Sequence, residues 1–186
     1  MDTSPPASRW GGLLKWAVVG VLLASTAGGQ AQGFSFESAG ARLGIGANRS
    51  SSDFQQAEAF ADWNLPWHWD LGAKLGLQTR LDLSAGWLGN NHASAAVANL
   101  GPLLVLGRER LPISVEGGVS ATILSHSDFV SKDFGEPLQF TSHVGLYWDF
   151  APHWRLGYRF QHMSNAGLSN RNPGLNLHLF ALSYRF

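Results

Sequence analysis

The sequence predicts an all-β chain folded as an eight-stranded antiparallel transmembrane β-barrel. Side-chain polarity alternates with period two through runs of about ten residues, and no stretch sustains a 3.6-residue period. There are eight such runs, separated by turn-forming segments that alternate short and long. That combination suits a closed barrel with short turns at one membrane face and longer loops at the other.

In chain order the strands are expected near residues 39–47, 54–67, 77–87, 95–106, 113–123, 138–148, 154–164 and 176–186. The third sets Leu77, Thr79, Leu81, Leu83, Ala85 and Trp87 on one face against Gln78, Arg80, Asp82 and Ser84 on the other. The fifth repeats this, with Ile113, Val115, Val119, Ala121 and Ile123 opposite Ser114, Glu116, Ser120 and Thr122. In the sixth, Leu138, Phe140, Ser142, Val144, Leu146 and Trp148 oppose Gln139, Thr141, His143 and Tyr147. Turn chemistry falls between the runs at Asn48-Arg49-Ser50, residues 67–70, Gly89-Asn90-Asn91, residues 107–112, residues 128–137 and Ala151-Pro152-His153.

Composition narrows the function. The 186 residues carry 13 basic and 13 acidic side chains, so no net field gathers a phosphate backbone, and nucleic acid is excluded as a partner. The absence of cysteine removes disulfide frameworks, thiol catalysis and Cys-ligated metals. Arg9 and Lys15 precede a short apolar run, residues 16–24, that ends in small residues. This predicts a secretory signal peptide over residues 1–31, cleaved after Ala27 or Ala31, with residues 32–186 as the barrel domain. The run is too short to span a bilayer as a helix.

Alternation alone does not say whether the apolar face meets lipid or a core, and a soluble lipocalin-like barrel shares it. The last strand breaks the tie. Stepping back by twos from Phe186 gives Tyr184, Leu182, Phe180 and His178, a pattern that resembles the sorting signature of outer-membrane barrels. The rings of Trp63, Trp67, Trp69, Trp87, Trp148, Trp154, Tyr158 and Tyr184 suit interfacial girdles, because an amphipathic ring favours the headgroup boundary.

The chemistry gathers on the penultimate strand. Trp154, Leu156, Tyr158 and Phe160 make its apolar face, and the same parity continues to His162 and Ser164. An imidazole and a hydroxyl two residues apart on the lipid-facing side have roots roughly 6–7 Å apart. On the last strand Asn176 has the parity of Phe180 and Phe186 and so emerges on the same wall. The three side chains suit acyl transfer. A serine hydroxyl is a weak nucleophile until an imidazole takes its proton, and the imidazole needs a third group to hold its tautomer. The matching electrophile for a site facing lipid is an ester carbonyl of a membrane lipid.

The stretch Phe160-Gln161-His162-Met163-Ser164-Asn165-Ala166-Gly167, followed by Asn172-Pro173-Gly174-Leu175-Asn176, closely resembles the signature of the PagL-type lipid A 3-O-deacylases. The resemblance implies an eight-stranded outer-membrane barrel that hydrolyses the ester at position 3 of lipid A in the outer leaflet and releases a 3-hydroxy fatty acid. Lipopolysaccharide and outer-membrane lipids are then the partners. It implies His162 as general base, Ser164 as nucleophile, and the Gly167 N–H with the Asn172 side chain as oxyanion donors; Asn165 matches the motif residue after the serine. The family's glutamate at the third triad position is here Asn176. An amide accepts from the ring but does not stabilise an imidazolium as a carboxylate does. Such a serine esterase needs no metal or cofactor. The other reading is a structural or adhesive barrel that keeps the motif without the activity.

The remaining charged and imidazole groups have simpler roles. His68, His92, His126 and His153 fall in expected turns without metal-binding spacing. His143, Arg80, Asp82, Glu116, Arg155 and Arg159 point inward, where ion pairs fill a lumen too narrow for a pore. Asp149 has the same inward parity, which argues against it as a substitute for the missing glutamate.

Overall fold

The computed structural model describes residues 33–186 and the backbone of Gln30 and Ala31. The expected signal peptide otherwise lies outside the described residues. A two-residue strand β1 (Gln30–Ala31) pairs with β3, and eight long strands form the wall: β2 (Ser35–Gly46), β3 (Gln55–Asp70), β4 (Leu75–Gly89), β5 (Ser94–Arg108), β6 (Ile113–Leu124), β7 (Leu138–Ala151), β8 (Trp154–Ser164) and β9 (Leu175–Arg185). Every neighbouring pair is antiparallel, β9 returns to β2, and β3 pairs with β4, so the ring closes without a free edge.

Seven of the expected strand cores match closely, but residues 67–70 are a correction. They continue β3, pairing His68 with Gln78 and Asp70 with Gly76, and the turn comes later at Leu71 to Lys74. The register shifts between Asn64 and His68, around Pro66, which has no N–H to give the ladder. A proline flanked by tryptophans reads as a turn, yet the bulge lets the strand run on. His68 is therefore a strand residue, not a loop residue.

The apolar side of the alternation faces outward. Leu43, Val119, Val144, Leu146, Leu182 and Phe180 are exposed, whereas Arg42, Glu58, Asp82, Glu116 and Arg159 are buried inside. A soluble barrel would have the reverse polarity, and an outward apolar band is what hydrocarbon requires. Aromatic rings gather at the rim carrying the chain's last residue, where Trp154 meets Tyr184 (5.4 Å between centroids), Tyr184 meets Phe186 (5.0 Å) and Phe36 meets both Phe186 (4.9 Å) and Trp63 (5.5 Å). Tyr158 is not part of this girdle. It stands mid-strand opposite Phe180, and its hydroxyl bonds His178 Nδ1 at 2.8 Å.

Charged groups inside the lumen pair with one another, although His143 and the Tyr147 hydroxyl are buried there without a hydrogen-bond partner among the described residues. Arg42 donates to Glu58 (3.0 Å) and pairs with Asp82, and its guanidinium lies 3.6 Å from the centre of the Phe60 ring. Arg159 donates to Glu116 (2.6 Å), and Arg80 to Glu37 (2.9 Å). Asp149 is held by Arg155 (2.6 Å) and Arg185 (3.1 Å). Below this network a polar vestibule of about 930 Å³ opens between Glu37, Arg80, Asp149 and Arg155. Arg42→Met should destabilise the barrel by about 3–5 kcal/mol, because it removes the guanidinium that two buried carboxylates share. The check is the temperature at which the folded form stops migrating as a compact species on unheated gels; an unchanged temperature would show that the network contributes nothing.

The two rims differ. One carries the turns at residues 71–74, 109–112 and 152–153, together with the last residue, Phe186. The other carries residues 47–54, 90–93, 125–137 and 165–174. In outer-membrane barrels the longer loops are the external ones, so the second rim is the exterior. It is sealed by an apolar cluster in which Phe129 and Phe134, from the loop between β6 and β7, pack on Phe54 with centroids 5.3 and 6.1 Å away.

Candidate active site

The motif lies on the exterior rim of β8 and β9, on the outward face. Regular alternation in β8 buries Gln161 and Met163 and leaves His162 exposed and Ser164 half-buried. Register pairs His162 with Asn176 across β8 and β9. The result is a hydrogen bond of 2.8 Å between His162 Nδ1 and Asn176 Oδ1. Because an amide oxygen only accepts, Nδ1 carries the proton and Nε2 is the basic nitrogen. Asn176 is itself fixed at the β2 side, where its carbonyl accepts from the Ala47 N–H at 2.9 Å.

Ser164 takes the next outward position along β8, opposite Phe140. Its hydroxyl makes no hydrogen bond with His162 among the described residues. Such contacts are commonly loose without substrate and tighten around it. On its other flank His162 pairs with Ser142 of β7, an exposed hydroxyl in the same transverse row that parity alone listed only as outward-facing.

The loop between β8 and β9 is organised by Asn165, which is fully buried. Its Nδ2 donates to Arg171 O (2.7 Å) and Phe134 O (2.9 Å), and its N–H donates to Asn172 Oδ1 (3.1 Å). Its Oδ1 accepts from the Gly167 N–H at 2.9 Å. Gly167 has φ +85° just after Ala166 at φ +53°, the left-handed geometry that a glycine takes without steric cost. So the two expected oxyanion donors are differently placed. Asn172 uses its side-chain carbonyl and its amide N–H groups make no hydrogen bond among the described residues, whereas the Gly167 N–H is already engaged.

Gly174 forms the wall behind the imidazole. A Cβ built on it would lie 2.9 Å from His162 Cε1, and its φ is +64°. Its carbonyl accepts from Lys132 Nζ at 2.7 Å. Neither contact was visible in the linear sequence, although two phenylalanines in the largely polar segment 125–137 are a sign of a loop that folds inward. The Gly135 N–H (2.8 Å), helped by Arg171 pairing across the two loops, holds the Asp133 carboxyl below the usual carboxylate range. Asp149, at the opposite rim and committed to arginines, is no part of the site.

His92, His126 and His153 stay outside the site. The His92 N–H bonds Asn90 Oδ1 (2.9 Å), His126 packs on Phe129 (5.4 Å), and His153 Nδ1 meets Arg185 O (2.9 Å). His143 is buried in the lumen 3.7 Å from Glu116, as the inward parity requires. No cluster of metal-binding side chains exists among the described residues.

Residues 55–185 match the family model described as lipid A 3-O-deacylase (PagL). A lipid A deacylase PagL of Bordetella bronchiseptica (strain ATCC BAA-588 / NCTC 13252 / RB50) is 39% identical over 72 residues, which is 39% of this chain and 40% of that protein. The match thus spans less than half the length of the curated relative. The crystal structure of the outer membrane enzyme PagL superposes with a TM-score of 0.66 at 21% identity, covering 80% of this chain and 98% of that one, and so shares the fold. With the family model spanning seven of the eight wall strands and the whole motif, the chain belongs to the lipid A 3-O-deacylase (PagL) family.

Proposed function

We propose that this protein is a serine carboxylic-ester hydrolase of the outer membrane that removes the 3-O-linked acyl chain of lipid A. The observation that carries the reading is the His162–Asn176 hydrogen bond on the outward wall, with Ser164 at the adjacent outward position on the exterior rim. A soluble ester would not require a site facing hydrocarbon; a lipid diffusing in the outer leaflet does.

Ser164 Oγ attacks the ester carbonyl while His162 Nε2 takes its proton. The tetrahedral intermediate collapses as His162 returns that proton to the sugar oxygen, leaving an acyl-serine. Water, deprotonated by the same imidazole, attacks the acyl-serine, and as the Oγ–acyl bond breaks His162 returns the proton to Ser164 and the 3-hydroxy fatty acid leaves. The Asn172 amide and the Gly167 N–H stabilise the oxyanion, and each such donor is typically worth about 10²–10³ in rate. For Gly167 this means exchanging the Asn165 Oδ1 acceptor for the substrate oxygen. No step calls for a metal.

The competing reading, a silent structural barrel, draws on Asn176 in place of a carboxylate. Lipid A from cells expressing the protein decides between them. Mass spectrometry should show loss of one hydroxyacyl group relative to the parent strain, and identical spectra would reject the hydrolase. A second expected result concerns the wall of the site. Gly174→Ala places a methyl against the imidazole and strains a left-handed residue, so turnover should fall about 10²-fold with the barrel still folded, since small misplacements of catalytic groups have effects of that size. Unchanged fatty-acid release would mean that the ring does not rest there during catalysis.

A further inference from the structure

We infer that Lys132 is a positioning residue for this hydrolysis: its ammonium, delivered by the loop between β6 and β7, locks the Gly174 peptide against which the His162 imidazole rests. The inference rests on the proposed reaction and adds a residue that the motif does not contain.

Lys132 is only 6% exposed, an unusual position for a lysine. It lies beside the apolar cluster that seals the exterior rim, with Nζ 5.9 Å from the centre of the Phe54 ring. Its hydrogen-bond acceptor is Gly174 O, at 2.7 Å. The nearby carboxylate, Asp53, attracts the ammonium without hydrogen-bonding it and accepts from Ser131 at 3.3 Å. Removing an ammonium from water and fixing four methylene torsions opposes folding, and a methionine would pack in the same space without that penalty. The loop does not need the lysine as an anchor. Phe129, Phe134, the Asn165–Phe134 hydrogen bond and the bonds from Asn90 to Phe129 O (3.0 Å) and Ser131 (2.8 Å) already hold it down.

What the ammonium does hold is a peptide with two catalytic neighbours. The Cε1 edge of His162 fills the space where a side chain at Gly174 would stand, and Asn176, which orients Nδ1 of the same ring, follows two residues later. Without Lys132 the carbonyl of the buried Gly174 loses its donor. Rotating the peptide to reach water withdraws the wall behind the ring. The imidazole then gains freedom on the side from which it must face Ser164. The outward surface that a lipid contacts is untouched.

The test uses the full mature protein refolded in detergent micelles, with purified lipid A as substrate and the His162 Nδ1–H proton followed by NMR, assigned by its absence in His162→Asn. Lys132→Met should leave the compact barrel intact on unheated gels, lower kcat about tenfold with KM unchanged, and speed solvent exchange of the ring proton at least tenfold. Lys132→Arg, which keeps a donor, should recover both properties. The proposal is overturned if Lys132→Met keeps the parental kcat and proton exchange, or if Lys132→Arg behaves no better than Lys132→Met. If the parent protein releases no fatty acid, the hydrolase reading fails, and the proton exchange alone still decides whether Lys132 positions the ring.

Discussion

Ser164→Ala is expected to lower deacylation by about 10⁵–10⁶, His162→Ala by a similar factor, and the double variant by little more than either. In the proposed mechanism hydroxyl and imidazole act as one unit, so losing either abolishes covalent catalysis, and what remains is the contribution of the oxyanion donors and of binding. The two residues occupy successive outward positions of β8, with a rigid strand rather than a loop setting their spacing. Neither contributes to the lumen network or to the apolar seal, so both variants should fold normally. Time courses of fatty-acid release from lipid A, with folded protein confirmed by gel mobility, measure the effect. Full activity of Ser164→Ala would assign the attack to another group, and strictly additive losses would mean that the two side chains work independently.

The second large effect concerns Asn176. Asn176→Leu should reduce turnover about 10²–10³-fold, whereas Asn176→Glu should raise it about 10- to 100-fold. In a serine protease, replacing the orienting carboxylate by an amide lowers turnover about 10⁴-fold, largely because the ring adopts the wrong tautomer. Here the amide oxygen already accepts from Nδ1–H at 2.8 Å, so the tautomer is correct and only the stabilisation of the imidazolium is missing. That is why the gain from glutamate is set well below 10⁴. The neighbouring outward imidazole, His178, is bonded to Tyr158 and has no part in this pair. Initial rates on lipid A across the three proteins check the order; a leucine variant as fast as the parent would remove Asn176 from the mechanism.

Much of this was legible in the sequence because a strand reports its two faces through parity. The inward set of Arg80, Asp82, Glu116 and Arg159 and the outward set of Leu146, Trp148, Leu156 and Phe160 follow from counting by twos. The His162–Ser164 pair needed nothing more, since both belong to one strand. The β3 bulge escaped the same counting because Pro66 and its tryptophans have the composition of a turn. Only the register with β4 shows that the strand continues.

By itself, the sequence determined the number of strands and that an imidazole and a hydroxyl share one face, because these are properties of a period-two chain read locally, and the pattern of the last strand added which face meets lipid. Tertiary structure decided which residue of β9 meets His162. Asn176 and His178 have the same parity, and only the stagger between β8 and β9 puts the first opposite the imidazole. Tertiary structure also decided that Asn165 engages the Gly167 N–H and that Lys132, more than forty positions before Gly174, secures its carbonyl. Irregular loops have no period, so the contacts they make are set by how the closed barrel brings its exterior ends together.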